Sequence, residues 1–254
     1  MRKIREILAI RYRPNKETWL AIGVGLLVIG LSFSLNLFPG GSVGSKIYTT
    51  LILTVGIRIG LGFYFPLRYE LLKKGESWSF FGVTKDHWVI SLILNLIFGA
   101  FLLGMFLSES GEVGTQILWQ KDTAISIIYI LLAGVFEMIF IYGFLRKTFE
   151  RAFGVIPSLI LTAIFYSFYH AGFQPEFSKL FFVGLLYSST FKLTENVLIL
   201  FPFFWGVGAT WDVLVNFGAT ELANSWVLGE SILSAALMVG IVLWVNRRRK
   251  KSGS

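Results

Sequence analysis

The chain has 254 residues, of which 55% are apolar and only 15% charged, with 25 Phe, 8 Trp, no Cys and a formal net charge of +8. An ordinary soluble domain carries about 25% charged residues. With a mean hydropathy of +0.69, the composition excludes a disordered chain and, despite the basic balance, a nucleic-acid-binding domain; it argues strongly against a soluble globular protein.

In chain order, residues 1–17 form a basic segment in which Ile4, Ile7, Leu8 and Ile10 interleave with Arg and Lys. It reads as a short interfacial helix ahead of an uncleaved signal anchor. Eight apolar segments follow, at about 18–38, 47–67, 87–107, 123–150, 155–173, 178–190, 195–217 and 228–246. Crossing a hydrocarbon core takes about 20 helical residues. Barrel strands are about 10 residues long and alternate in polarity, whereas these runs are apolar on every face. The sixth segment is short and fits a tilted or half span. The fourth runs past the hydrocarbon edge, which is expected to put Arg146, Lys147, Glu150 and Arg151 in water. The expected fold is all-α: one polytopic transmembrane domain over 1–254, with about eight helices.

Charge distribution orients this domain. With both termini cytoplasmic, the inner segments hold 19 of the 23 Lys and Arg residues and the outer loops hold Lys46, Lys121 and Lys179, a strong positive-inside pattern. The inner face then carries +12, the outer face −3 and the membrane interior −1. Such an inner face is expected to attract anionic lipid headgroups. The lack of Cys removes disulfides, thiolate nucleophiles and Cys-based metal sites.

Ionisable side chains inside a bilayer cost several kcal/mol and mark functional candidates. Glu137 lies about 14 residues above Arg151, roughly 21 Å along a helix. His170 lies 15 residues above Val155, about 22 Å, and Asp212 16 residues above Asn196, about 24 Å. Three ionisable groups on three helices therefore fall at matched depth. Arg58 lies about 10 residues above Arg68, roughly 15 Å, and reads as a counter-ion for Glu137. Each has a plainer reading: a hydrogen-bonded Glu, a helix-joining His, an Asp at an aqueous vestibule. His87, beside Asp86 and Trp88, reads as interfacial.

The run Phe136-Glu-Met-Ile-Phe-Ile-Tyr-Gly-Phe-Leu145 resembles the first motif of the CPBP family of intramembrane CAAX and bacteriocin-processing proteases, Glu-Glu-x-x-x-Arg followed by Gly. Glu137 and Gly143 match, while Met138 and Tyr142 stand for the second Glu and the Arg. Tyr166-Ser-Phe-Tyr-His170 is similar to the family's Phe-x-x-x-His. Trp78–Thr84 resembles its lead-in segment, and Gly184–Thr190 is also family-like. In the third motif, His-x-x-x-Asn or Asp, the His is missing. Placing Asp212 last puts Gly208 at the His position; counting from Pro202 puts Gly206 there and Thr210 last. The resemblance spans roughly 78–217.

The resemblance implies a prokaryotic cytoplasmic-membrane protein with Glu137, His170 and Asp212 as candidate catalytic residues and Tyr142 and Tyr166 as candidate substrate contacts; Arg58, outside its range, is a further candidate contact by its place within a span. In the family the Glu activates water. The cofactor is undetermined: zinc on Glu137, His170 and Asp212 fits the ligand chemistry but leaves no separate base. The implied substrate is a peptide or membrane protein. Two functional classes stay open, a divergent endopeptidase and a catalytically lapsed relative with a polar cavity. Beside them stand a binding, chaperone or immunity-type role and a small transporter subunit.

Overall fold

The computed structural model describes residues 8–38, 42–118, 123–172, 176–216 and 225–252. These residues form helices and connecting turns, with no strand among them. Helix α1 (Lys16–Ser34) starts at a reciprocal cap: the Thr18 amide donates to Asn15 Oδ1 at 3.0 Å and the Asn15 amide to Thr18 Oγ1 at 3.2 Å, satisfying amides that a helix start leaves open. Then come α2 (Val43–Lys73), α3 (Trp88–Gly111), α4 (Thr123–Phe153), α5 (Val155–His170), α6 (Phe177–Thr194), α7 (Phe203–Val215) and α8 (Ser225–Lys251). Of these, α1, α2, α3, α4 and α8 are long and apolar enough to cross a membrane.

Helix α4 is the axis of the bundle. Every residue of its segment Glu137–Leu145 is buried, with α1, α2, α5, α7 and α8 packed around the rod. α3 packs on α7 and on the turn before it, where Asn95 Nδ2 donates to the Leu198 carbonyl at 2.7 Å and Asn95 Oδ1 accepts from the Phe204 amide at 3.0 Å. Large apolar side chains such as Leu26, Ile97, Phe101, Ile232 and Val239 face outward. An outer surface this apolar has no place in water and fits lipid. The molecule is a helical integral membrane protein.

Three expectations change. The seventh apolar segment is not helical from 195: a short turn at Val197–Ile199 precedes Pro202, and the helix begins at Phe203, consistent with proline's missing amide and fixed φ. Arg146 is not in water. It is fully buried, with Nη1 2.6 Å from Glu150 Oε2, Nη2 3.8 Å from Glu195 Oε1, and its guanidinium over the Phe191 ring. Those carboxylates supply the compensation a buried cation requires. At the start of the chain, residues 1–7 of the expected interfacial helix lie outside the described residues. Residues 9–15 are non-helical and dock on the α4–α5 corner, where the Arg11 and Arg13 amides donate to the Phe153 and Ala152 carbonyls at 2.9 Å each.

Candidate functional site

Glu137 opens a stretch of α4 wound with wide, i→i−5 turns; at its end the Arg146 amide bonds to the Ile141 carbonyl. Such π-type turns are rare and concentrate at functional sites. In an ordinary α-helix, residues five apart point 140° away from each other at 100° per residue. The wide winding instead brings Tyr142 toward the face of Glu137, within electrostatic range of its carboxylate. Both side chains are buried.

His170 ends α5. Its Nδ1 lies 2.7 Å from the Tyr166 carbonyl oxygen. A carbonyl only accepts, so the proton belongs on Nδ1 and Nε2 is left facing outward. Nε2 lies 3.6 Å from Glu137 Oε1, and both side chains are almost wholly withdrawn from solvent. The imidazole is packed between Tyr166 and Tyr169, with ring centroids 4.2 and 4.7 Å away. The Tyr166 carbonyl and the Tyr166 and Tyr169 rings thus hold the imidazole while its second nitrogen addresses the carboxylate.

The other carboxylate oxygen has its own donor. Trp205 Nε1 donates to Glu137 Oε2 at 2.9 Å, and both residues are buried. Gly134, one turn before Glu137, makes this approach feasible: a Cβ there would overlap the Trp205 ring. Trp205 was not among the sequence candidates. One signal pointed toward it: it directly precedes Gly206, a position the third-motif alignment reached.

Tyr187 is a second unanticipated member. A Cβ at Gly208 would overlap the Tyr187 hydroxyl. Gly208 is one of the two positions, with Gly206, at which the resemblance would place a His, and a phenol from α6 fills the space beside it. The rings of Tyr166 and Tyr187 lie 6.4 Å from the Tyr142 ring. The Tyr142 hydroxyl is buried and has no hydrogen-bond partner among the described residues.

Asp212 and Arg58 each meet groups other than Glu137. Asp212 is ion-paired with Lys179 at the start of α6, and Lys179 also meets Glu176 at 3.0 Å. Its carboxylate lies at the rim, within electrostatic range of Tyr166 and Tyr187. The depth count took a helix rising from Asn196, whereas α7 begins at Phe203. Arg58 forms no ion pair with Glu137; its guanidinium lies 4.9 Å from the Tyr129 ring centroid, and the Tyr129 and Tyr169 phenols are within its electrostatic range. The phenols take the place of the expected carboxylate.

The zinc reading is poorly matched by this donor set. Among the described residues, no three His, Asp or Glu side chains converge on a metal position. A catalytic zinc takes three protein ligands; here Glu137 Oε2 accepts from Trp205 and the third candidate carboxylate is held by Lys179.

A family model described as Type II CAAX prenyl endopeptidase Rce1-like matches residues 118–203. The matched stretch contains Glu137, Tyr142, Tyr166, His170 and Tyr187. It starts after the Trp78–Thr84 segment and ends before Trp205, Gly208 and Asp212. No curated protein and no solved structure matches the chain.

Proposed function

From the premise that residues 118–203 form an Rce1-like CAAX-protease-like core in an integral membrane protein, we propose that the chain is a divergent, glutamate-dependent intramembrane endopeptidase. The observation that carries this reading is the buried 3.6 Å contact between Glu137 Oε1 and His170 Nε2. With Nδ1–H committed to a carbonyl, that contact is favourable when one proton lies between the two groups. The pair then acts as base and acid in one cycle. Glu137 takes a proton from water as the water oxygen bonds to the scissile carbonyl carbon. His170 gives its Nε2 proton to the leaving nitrogen as the carbon–nitrogen bond breaks. The proton on Glu137 passes back to His170, and the products are an acid and an amine.

In this reading the unpartnered Tyr142 hydroxyl is the donor for the oxyanion, Tyr166 holds the imidazole, and Trp205 orients the base. Asp212 closes the α6–α7 rim through Lys179, and Arg58 is a cation beyond the Tyr169 ring that favours an anionic end of the substrate. The substrate is a peptide or membrane-protein segment, and the surrounding partners are bilayer lipids, anionic on the inner face. We assign a single domain of eight spans over 1–254, with both termini in the cytoplasm of a prokaryotic cell.

One observation favours a second reading, a lapsed enzyme that only binds its peptide: Tyr187 fills the space beside Gly208, leaving no second imidazole. The test is full-length protein in liposomes with a peptide carrying a prenylated Cys before three C-terminal residues. The expected result is release of the tripeptide by the wild type and none by Glu137→Gln or His170→Ala, each still folded. Undiminished release by Glu137→Gln overturns the catalytic reading. Peptide binding without release by the wild type establishes the lapsed one.

A further inference from the structure

At one end of α2, a groove is lined by Phe65, Arg68, Tyr69, Leu72 and Lys73. These residues belong to the last two turns of a membrane-span candidate that ends at Lys73. At 31 residues the rod is longer than the roughly 20 needed to cross the hydrocarbon, so its last turns reach the depth of the headgroups. Arg68 Nη1 lies 3.5 Å from the Tyr64 hydroxyl, the Tyr64 ring 5.7 Å from that of Trp244 on α8, and the Arg248 guanidinium 5.8 Å from the Trp244 ring centroid. Lys73 Nζ lies 5.2 Å from the Tyr69 centroid. Aromatic rings with a polar edge gather at this depth of a bilayer.

The charges here are unlike those nearby. Lys74, Arg146, Lys147, Arg151 and Lys192 each meet a carboxylate. Arg68, Lys73 and Arg248 form no ion pair with any described residue; their neighbours are aromatic rings. All three are exposed. Three uncompensated cations beside an apolar groove, at the end of a span, call for a ligand with an anionic head and an apolar tail.

We propose that this groove is a binding site for one anionic phospholipid, its phosphate held by Arg68 and Lys73 with Arg248 alongside, and an acyl chain lying along Phe65 and Leu72. The site is independent of the Glu137–His170 chemistry. A basic residue near a lipid headgroup is worth about 1 kcal/mol, or roughly fivefold in affinity, so removing two is expected to weaken binding roughly twenty- to thirtyfold.

The experiment is native mass spectrometry of the full-length protein in a neutral detergent, titrated in parallel with dioleoyl phosphatidylglycerol, dioleoyl phosphatidylcholine and inorganic phosphate. Arg68→Ala/Lys73→Ala is compared with Arg13→Ala/Lys16→Ala, which removes the same charge elsewhere; circular dichroism confirms that both are folded. The expected result is one tightly bound phosphatidylglycerol on the wild type and on the Arg13/Lys16 variant. The Arg68/Lys73 variant should show the stated loss, with phosphatidylcholine and inorganic phosphate binding far more weakly throughout. Equal binding of phosphatidylcholine overturns the proposal, as does equal loss in both double variants. Inorganic phosphate binding as tightly as the lipid also overturns it, because the acyl groove would then contribute nothing.

Discussion

Trp205→Phe is the sharpest single perturbation of the site, because it deletes one N–H and keeps a ring in place. The bond it removes is 2.9 Å long and runs between two buried side chains, so water cannot readily replace the donor. Hydrogen bonds to charged groups contribute about 1.5–3 kcal/mol net, and that is the expected loss of stability while Glu137 is ionised. The partner-dependent part is isolated by repeating the substitution in a Glu137→Met background, where Trp205→Phe should cost less than about 0.5 kcal/mol if the effect runs through the carboxylate. Unfolding in mixed detergent, followed by circular dichroism, measures all four proteins. Equal losses in the two backgrounds would refute the reasoning, because the indole would then act through packing alone.

Other expectations follow from neighbouring contacts. Gly208→Ala should cost about 1–3 kcal/mol through overpacking against the Tyr187 hydroxyl, and adding Tyr187→Phe should recover part of it; thermal unfolding reads both. Arg146→Met should destabilise toward the lower end of the roughly 3–5 kcal/mol seen when a buried pair is broken, since Glu150 keeps Lys192 at 2.7 Å; mixed-detergent unfolding gives the value. Burial opposes the charge of Glu195, yet the hydrogen bond from Lys192 and the cations Arg146 and Lys147 outweigh it and hold the carboxyl at about 2. An unfolded Glu titrates near 4.3. The stabilisation is therefore complete above that pH and is lost as pH falls toward 2. It is moderated by solvent at a side chain that is 38% exposed. Melting temperatures of wild type and Glu195→Gln should differ at pH 6 and converge near pH 2.

The membrane character and the pairing of Glu137 with His170 were legible in the sequence for the same physical reason. A long apolar run leaves an ionisable side chain conspicuous, and the cost of burying it demands a partner. Trp205 was not legible, because one Trp among 8 carries no mark of which indole N–H is committed to a carboxylate. Its role depends on a glycine on another helix. Tyr187 was hidden similarly: its hydroxyl matters only through the space left at Gly208. For Asp212 the count from Asn196 used a helix rise of 1.5 Å per residue, whereas the helix begins only at Phe203, after Pro202. In the sequence Arg146 reads as solvated because four charged residues stand together at a helix end. Its carboxylate Glu195, 49 residues away, becomes its neighbour only when α4 and α6 pack.

The chain contains two histidines, His87 and His170, so nitrogen NMR of the full-length protein with a His87→Gln variant observes His170 alone. The arrangement predicts a protonated Nδ1, held by the Tyr166 carbonyl, and an Nε2 resonance that shifts when Glu137 is replaced by Gln. A proton resting on Nε2 with Nδ1 bare, together with a spectrum indifferent to Glu137→Gln, would contradict the coupled carboxylate–imidazole centre on which the account rests.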